Sequence, residues 1–416
     1  MVFSSGVSSR SLEWRTLLFA TTLFFTGALV GSIVASRPKR ATILPSPRTT
    51  RLPALSEEEQ SQLPYPPDVL PGARDVETPY GSIRVYEFGP ESGRKVLLVH
   101  GISTPAIALG AVAHGLVDRG CRVMLFDLFG RGYSDNPADL PQDIRLFTTQ
   151  ILLALASSPL SWTGAGGTGS DTGNGTGSRS AGKFTMIGYS LGGGISATFT
   201  SYFPDLIDSL VLIAPAGLLR PHHISKTSHV IYSEGIIPEP ILQRLVKKRL
   251  RQPLATPPQP PRTEKEAKDQ SRAVDATEAA QAEVNIESNS QATLSKIRPH
   301  VTVEATVVDQ LDTHPGFLPA FMSSIRYAPI RDQHVRWRMI AQRMAERNRQ
   351  NGTKRKVLIV CGATDPIIVR QELEEDAREV LQENVEFVVI DAAHDVPITK
   401  ADDVVGHIFD FWKRTD

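Results

Sequence analysis

Gly188-Tyr189-Ser190-Leu191-Gly192 constrains the chain more than any other stretch because of what flanks it. The apolar run Phe184 to Ile187 has the composition of a buried strand and feeds into it, and the helix-like run Gly193 to Phe203 leaves it. A strand that must turn sharply into a helix lifts one serine out above a sheet, an arrangement called a nucleophile elbow. Such a turn presses backbone against backbone, so positions 188 and 192 have little room for a Cβ atom. Without those flanks the pattern would describe an ordinary Gly-rich turn.

The rest of the chain supports this context. Strand-like alternation begins near Arg74 and recurs over Ile83 to Phe88. Lys95 to Val99 is a short, mostly apolar run, as expected of a strand buried on both faces. Residues 106–119 read as a helix, Arg122 to Phe126 as a strand, 142–157 as a helix and Leu210 to Ile213 as a strand. The rhythm resumes with strand Val357 to Val360, helix 370–382, strand Val385 to Ile390 and helix 401–412. Short apolar runs alternating with helices predict an α/β fold with a mostly parallel central sheet and helices on both faces.

The expected organisation has five parts. Residues 1–36 form an N-terminal anchor, and 37–72 a Pro/Arg-rich tether with the acidic cluster Glu57-Glu58-Glu59. The first part of the core spans 73–215, a mainly helical insertion 216–345, and the second part of the core 346–416. Two flexible stretches are expected: the Gly/Ser/Thr-rich loop 162–182 and the polar, Pro-led segment 255–295. Deleting Trp162 to Gly182 is expected to leave activity largely intact.

Composition narrows the classes. Lys plus Arg and Asp plus Glu both number 45, which argues against a nucleic-acid partner. The two cysteines, Cys121 and Cys361, lie in apolar strand-like runs and read as buried thiols, not as a disulfide framework or metal ligands.

Thr16 to Ala35 carries no charge over about 20 residues, the length of a membrane-spanning helix. A cleaved signal peptide and a mitochondrial presequence compete with that reading, but a single-pass signal-anchor fits the length best. Arg37, Lys39, Arg40, Arg48 and Arg51 follow the segment and outnumber Arg10 and Arg15 before it. The positive-inside rule then places the body in the cytosol.

A serine hydroxyl needs a base within hydrogen-bond reach and a third group to orient that base. Among ten histidines, His394 stands out because it comes after the strand Val385 to Ile390 and precedes the last helix. Asp365 occupies the equivalent place one strand earlier, where a turn or helix-cap role is the ordinary alternative. Loops leaving strand C-termini are where active-site groups gather in open α/β sheets.

Ser190, Asp365 and His394 in that chain order resemble the α/β-hydrolase superfamily over roughly residues 74 to 413. The resemblance implies the α/β-hydrolase fold with an inserted helical cap. It also assigns Ser190 as nucleophile, His394 as base and Asp365 as the group that orients His394. Oxyanion donors would be the backbone N–H of Leu191 and that of Ile102, with Ser103 as the alternative, after the strand ending at His100-Gly101. Asp127, Arg131 and the glycines of Phe126 to Asp135 resemble the family segment that braces this loop.

The resemblance implies a serine hydrolase of carboxylic esters that requires no metal or organic cofactor. The expected partners are a small-molecule or lipid ester and, through the anchor, a membrane. Acyl transfer or carbon–carbon hydrolysis on the same triad, and a catalytically silent binding scaffold, are the alternatives.

Overall fold

In a computed structural model of the chain, residues 14, 19–26, 42–164, 182–220, 238–251 and 292–415 are described. Eight strands form one sheet: β1 (Ala73–Thr78), β2 (Gly81–Phe88), β3 (Arg94–Val99), β4 (Cys121–Phe126), β5 (Phe184–Tyr189), β6 (Ile207–Ile213), β7 (Val357–Gly362) and β8 (Val385–Ile390). Their order is β1-β2-β4-β3-β5-β6-β7-β8. β1 and β2 pair antiparallel with each other, and β2 antiparallel with β4. Every pairing from β4 across to β8 is parallel.

Burial tracks position in the sheet. All six residues of β5 and of β7 are buried, as their continuous apolar sequences require of central parallel strands. β1 alternates between exposed and half-buried residues, the pattern of an edge strand.

The helices are α1 (Gly110–Val117), α2 (Ile144–Ala156), α3 (Leu191–Tyr202), α4 (Glu239–Leu250), α5 (Val303–Thr313), α6 (Phe317–Tyr327), α7 (His334–Asn351), α8 (Arg370–Leu381) and α9 (Ala401–Thr415). α1 packs on α9, while α3 packs on α2 and α7, and α7 on α8. Two separate helical groups are what covering both faces of a sheet requires. Asp143 starts α2 by accepting the N–H groups of Arg145 (2.9 Å) and Leu146 (3.2 Å). α4 to α7 lie between β6 and β7, so the helical block runs to Asn351, beyond the expected boundary at 345. It stops at Gly352, whose φ of 63° caps α7.

Three expectations are corrected. The first is the membrane anchor over Thr16 to Ala35. Among the described residues no helix is long and apolar enough to cross a membrane. Of that segment, residues 19–26 are described and are helical. The rest of that segment lies outside the described residues. The single-pass placement, the cytosolic body and the membrane partnership fall with it.

The second is the tether. Met1–Thr42 forms one compact unit, and Ile43–Asp416 the other. From Ile43 the chain therefore belongs to the body, where Leu52, Leu63, Tyr65, Val69 and Leu70 are buried. The Pro- and Arg-rich composition read as a linker conceals an apolar set at uneven spacing.

The third is the edge of the low-complexity loop. Trp162 is 1% exposed, lies edge-on to Phe184 at 6.0 Å, and donates its indole N–H to Ser158 Oγ at 3.1 Å. Residues 165–181 lie outside the described residues, as does 255–291 of the expected polar stretch. A deletion confined to 165–181 is expected to preserve activity, whereas Trp162→Ala should cost about 3–5 kcal/mol in urea denaturation. Equal stability of Trp162→Ala and wild type would contradict that assignment.

Candidate active site

β3 lies between β4 and β5, so successive connections from it leave in opposite directions. This is a topological switch point, where the crevice at the strand C-termini takes ligands. The register sets Val99 opposite Gly188, which puts the loop after β3 beside the elbow after β5.

Ser190 occupies that elbow with φ 53° and ψ −119°, a backbone state that L-residues avoid. It is held by its N–H donating to Ile213 O (3.0 Å) and by Ala216 N–H donating to Ser190 O (2.9 Å). A Cβ on Gly188 would lie 2.3 Å from Gly192 O, and one on Gly192 would lie 2.1 Å from Val99 O. The glycines at 188 and 192 therefore permit the close approach that the turn demands.

The three residues singled out in sequence come together. His394 Nε2 is 3.0 Å from Ser190 Oγ, and His394 Nδ1 is 2.8 Å from Asp365 Oδ2. His394 is fully buried, Ser190 is 6% exposed, and the Asp365 side chain is 1% exposed. The loops after β7 and β8 are aligned by Ala363 N–H donating to Ile390 O (2.8 Å) and Thr364 N–H to Ala392 O (3.1 Å). Asp365 is also the turn aspartate of the alternative reading, because its Oδ1 accepts the N–H groups of Ile367 (2.8 Å) and Ile368 (2.9 Å). One carboxylate oxygen fixes the turn and the other faces the imidazole.

Leu191 opens α3 directly after Ser190, where first-turn N–H groups have no acceptor within the helix. Ile102 is buried in the loop after β3. His100 braces that loop. Leu128 N–H donates to His100 Nε2 at 2.9 Å, so Nε2 carries no proton and Nδ1–H donates to Gly101 O at 2.8 Å. The Arg131 guanidinium, fully buried, donates to Ile102 O (3.1 Å), Phe129 O (2.9 Å) and Ser324 Oγ (2.8 Å). The 127–135 segment thus ties the loop bearing Ile102 to α6.

Three contributors had no signal in the sequence because their partners are distant or their setting is tertiary. Gln310 of α5 donates to Ser103 O (3.0 Å) and accepts Gly132 N–H (2.8 Å). His314 donates from Nε2 to Ser134 O (3.0 Å) and accepts Gly316 N–H at Nδ1 (3.0 Å). The ring of Tyr189 packs 5.3 Å from that of His394. Among the described residues no group of three His, Cys, Asp or Glu side chains is arranged to hold a metal ion. Cys121 and Cys361 are buried thiols, pushed up to about 11 and about 12 by burial.

Burial pushes His100 down to about 3 and His314 down to about 4 from an ordinary 6.5. Below pH 6.5 the unfolded chain takes up protons that these rings refuse. Their stabilisation is therefore present above 6.5 and lost as pH falls toward those values, at roughly 1.4 kcal/mol per pH unit per ring. Asp127 acts in the opposite sense. Burial raises it to about 6 from 3.8, so below pH 6 the folded state takes up a proton earlier and offsets one ring. Urea midpoints are expected to fall from pH 7 to 5, with His314→Gln reducing that slope by about one proton. An equal slope in the variant would contradict the buried, neutral state of His314.

A family model described as "Alpha/beta hydrolase family" matches residues 96–407. The chain belongs to that family. Among curated proteins it is 27% identical over 158 residues to an uncharacterized protein of Mycobacterium tuberculosis, covering 38% of this chain and 39% of that one. It is 23% identical over 142 residues to a "Serine hydrolase-like protein" of Danio rerio, covering 34% and 37%. The chain thus spans well under half the length of either relative. Among solved structures it is similar to a hydrolase from Pseudomonas aeruginosa (TM-score 0.51, 15% identity, 82% of this chain and 98% of that one). It is also similar to a bacterial membrane phospholipase A (0.50, 16%, 98% and 98%) and an enol-lactonase from Burkholderia xenovorans (0.50, 13%, 82% and 100%). At these identities the likeness establishes the fold alone.

Proposed function

We propose that the protein is a serine hydrolase of carboxylic esters acting through an acyl-enzyme. One observation carries this reading: Ser190 Oγ, on a strained elbow, sits 3.0 Å from an imidazole whose other nitrogen is 2.8 Å from a buried carboxylate. In this reading Ser190 attacks the ester carbonyl carbon as its proton passes to His394 Nε2. Asp365 stabilises the imidazolium and holds its Nδ1–H toward the carboxylate. The N–H groups of Leu191 and Ile102 take the developing oxyanion, where fixed donors need no reorganisation. Collapse expels the alcohol with the proton from His394. Water, deprotonated by the same imidazole, then releases the acid and restores Ser190.

The helical block between β6 and β7 would act as a cap that shapes the acyl pocket. The preference for lipid esters rested on the anchor and is withdrawn with it. Transfer of the acyl group to an acceptor other than water would use the same residues and is separated by product analysis. The test is a pre-steady-state burst with a p-nitrophenyl ester, followed by mass spectrometry of the trapped protein. The reading predicts an acyl adduct on the peptide bearing Ser190. Turnover without a burst or adduct, or an adduct on another residue, would count against it.

A further inference from the structure

The segment 43–72 docks against the braces of the loop that bears Ile102. Ile43 and Leu44 pair with Pro137 and Asn136, and Ser46 N–H donates to Asp135 Oδ1 at 2.7 Å. Arg51 pairs with Asp309 of α5 at 2.6 Å, Thr306 Oγ1 donates to Pro64 O at 2.9 Å, and Arg298 forks onto Asp68 at 2.7 and 2.6 Å. The deepest contact is Tyr65. Its ring stacks on Tyr133 at 5.1 Å with an interplanar angle of 13°, and its backbone oxygen accepts the Tyr133 hydroxyl. Its own hydroxyl lies 2.8 Å from Tyr86 Oη and donates to Asp127 at 3.0 and 3.2 Å.

Asp127 is fully buried, and its other two donors are backbone groups: Ala106 N–H (2.9 Å) at the end of the loop after β3, and Tyr133 N–H (2.9 Å). We infer that residues 43–72 are a working part of the active site, with Tyr65 a positioning residue that holds the oxyanion loop in register through Asp127. The inference rests on reading Ile102 as an oxyanion donor.

A buried carboxylate that lacks a donor either loses its charge or moves toward water. Here one donor comes from the strap formed by 43–72, and the two it leaves are the N–H groups that fix the ends of the functional loops. If the hydroxyl of Tyr65 is lost, Asp127 binds a proton more readily and its grip on Ala106 N–H weakens. The charged and titratable groups around Asp127 are few. Arg84 and Tyr86 come from β2, with Asp75 of β1 on Arg84. Tyr133 comes from its own loop, flanked by Arg51 and Asp309, and neutral His100 follows β3 directly.

The test is Tyr65→Phe, which keeps the ring stack and removes the donor. With a p-nitrophenyl ester the expected result is a roughly tenfold lower kcat at unchanged KM, the loss of one hydrogen bond to a charged group. The acid limb of the kcat profile should also move to higher pH, which a purely structural role would not do. A folded Tyr65→Phe with wild-type kcat and an unmoved limb overturns the inference. If that variant does not fold, Arg51→Ala/Arg298→Ala removes two outer anchors of the strap and loosens the seat of Tyr65 without substituting a residue that touches Asp127. Lower kcat with a raised acid limb then supports the inference, and wild-type kcat with the strap open to protease overturns it. A wild type that forms no acyl adduct fails the underlying reading instead, so the two failures are distinguishable.

Discussion

His394→Gln is expected to lower kcat by about 10⁶-fold while leaving the fold intact. The glutamine fills most of the volume of a fully buried ring, and Asp365 keeps the two backbone donors on its Oδ1. What disappears is the base 3.0 Å from Ser190 Oγ. Removal of one triad member costs nearly as much as removal of all, because the remaining rate comes from the oxyanion donors and binding. Stopped-flow turnover with a chromogenic ester, alongside a thermal melt, measures both quantities. A melting temperature near wild type with kcat within tenfold of wild type would remove His394 from the chemistry.

Gly192→Ala is expected to damage stability and rate together. The new methyl would stand 2.1 Å from Val99 O and 2.5 Å from His100 O, both backbone atoms that no rotamer change can move. The elbow must therefore shift away from β3, separating Ser190 from the loop that carries Ile102. Such overpacking against backbone should cost about 3 kcal/mol, at the upper end for small-to-large changes. A displacement of about 1 Å between reacting groups should cost a further 10²-fold in kcat. Urea denaturation with parallel kinetics tests this. A variant within about 0.5 kcal/mol of wild type would mean that the elbow is looser than its contacts imply.

How far these residues were legible in sequence depends on the range of the signal. Ser190, Asp365 and His394 each come after a strand written as a local apolar run, so their order along the chain was enough to bring them to one edge of the sheet. Gly188 and Gly192 were legible for the same reason, since the demand for a missing Cβ arises within the elbow itself. Arg131 could be read only as part of a brace, because its partner Ser324 lies 193 residues away. Gln310 and His314 carried no signal, as each acquires a role only when α5 and the turn after it meet the 127–135 segment. The N-terminal errors share a cause. A run without charges has the composition of a spanning helix, but no described helix is long and apolar enough to be one, and a Pro/Arg-rich run reads as a linker although the docking of Tyr65 depends on contacts that composition does not encode. Trp162 reads as part of the flexible stretch because of the glycines beyond it, although an indole that reaches both Ser158 and Phe184 is a core residue.

Whether Ser190 is an activated nucleophile is decided by labelling with a fluorophosphonate probe, comparing wild type with Ser190→Ala. The probe reacts with a serine only when a neighbouring base has activated it. The geometry around His394 calls for one adduct per chain on wild type, mapped to Ser190, and none on the variant under conditions where both are folded. Labelling that persists in Ser190→Ala, or a folded wild type that stays unlabelled, would contradict it.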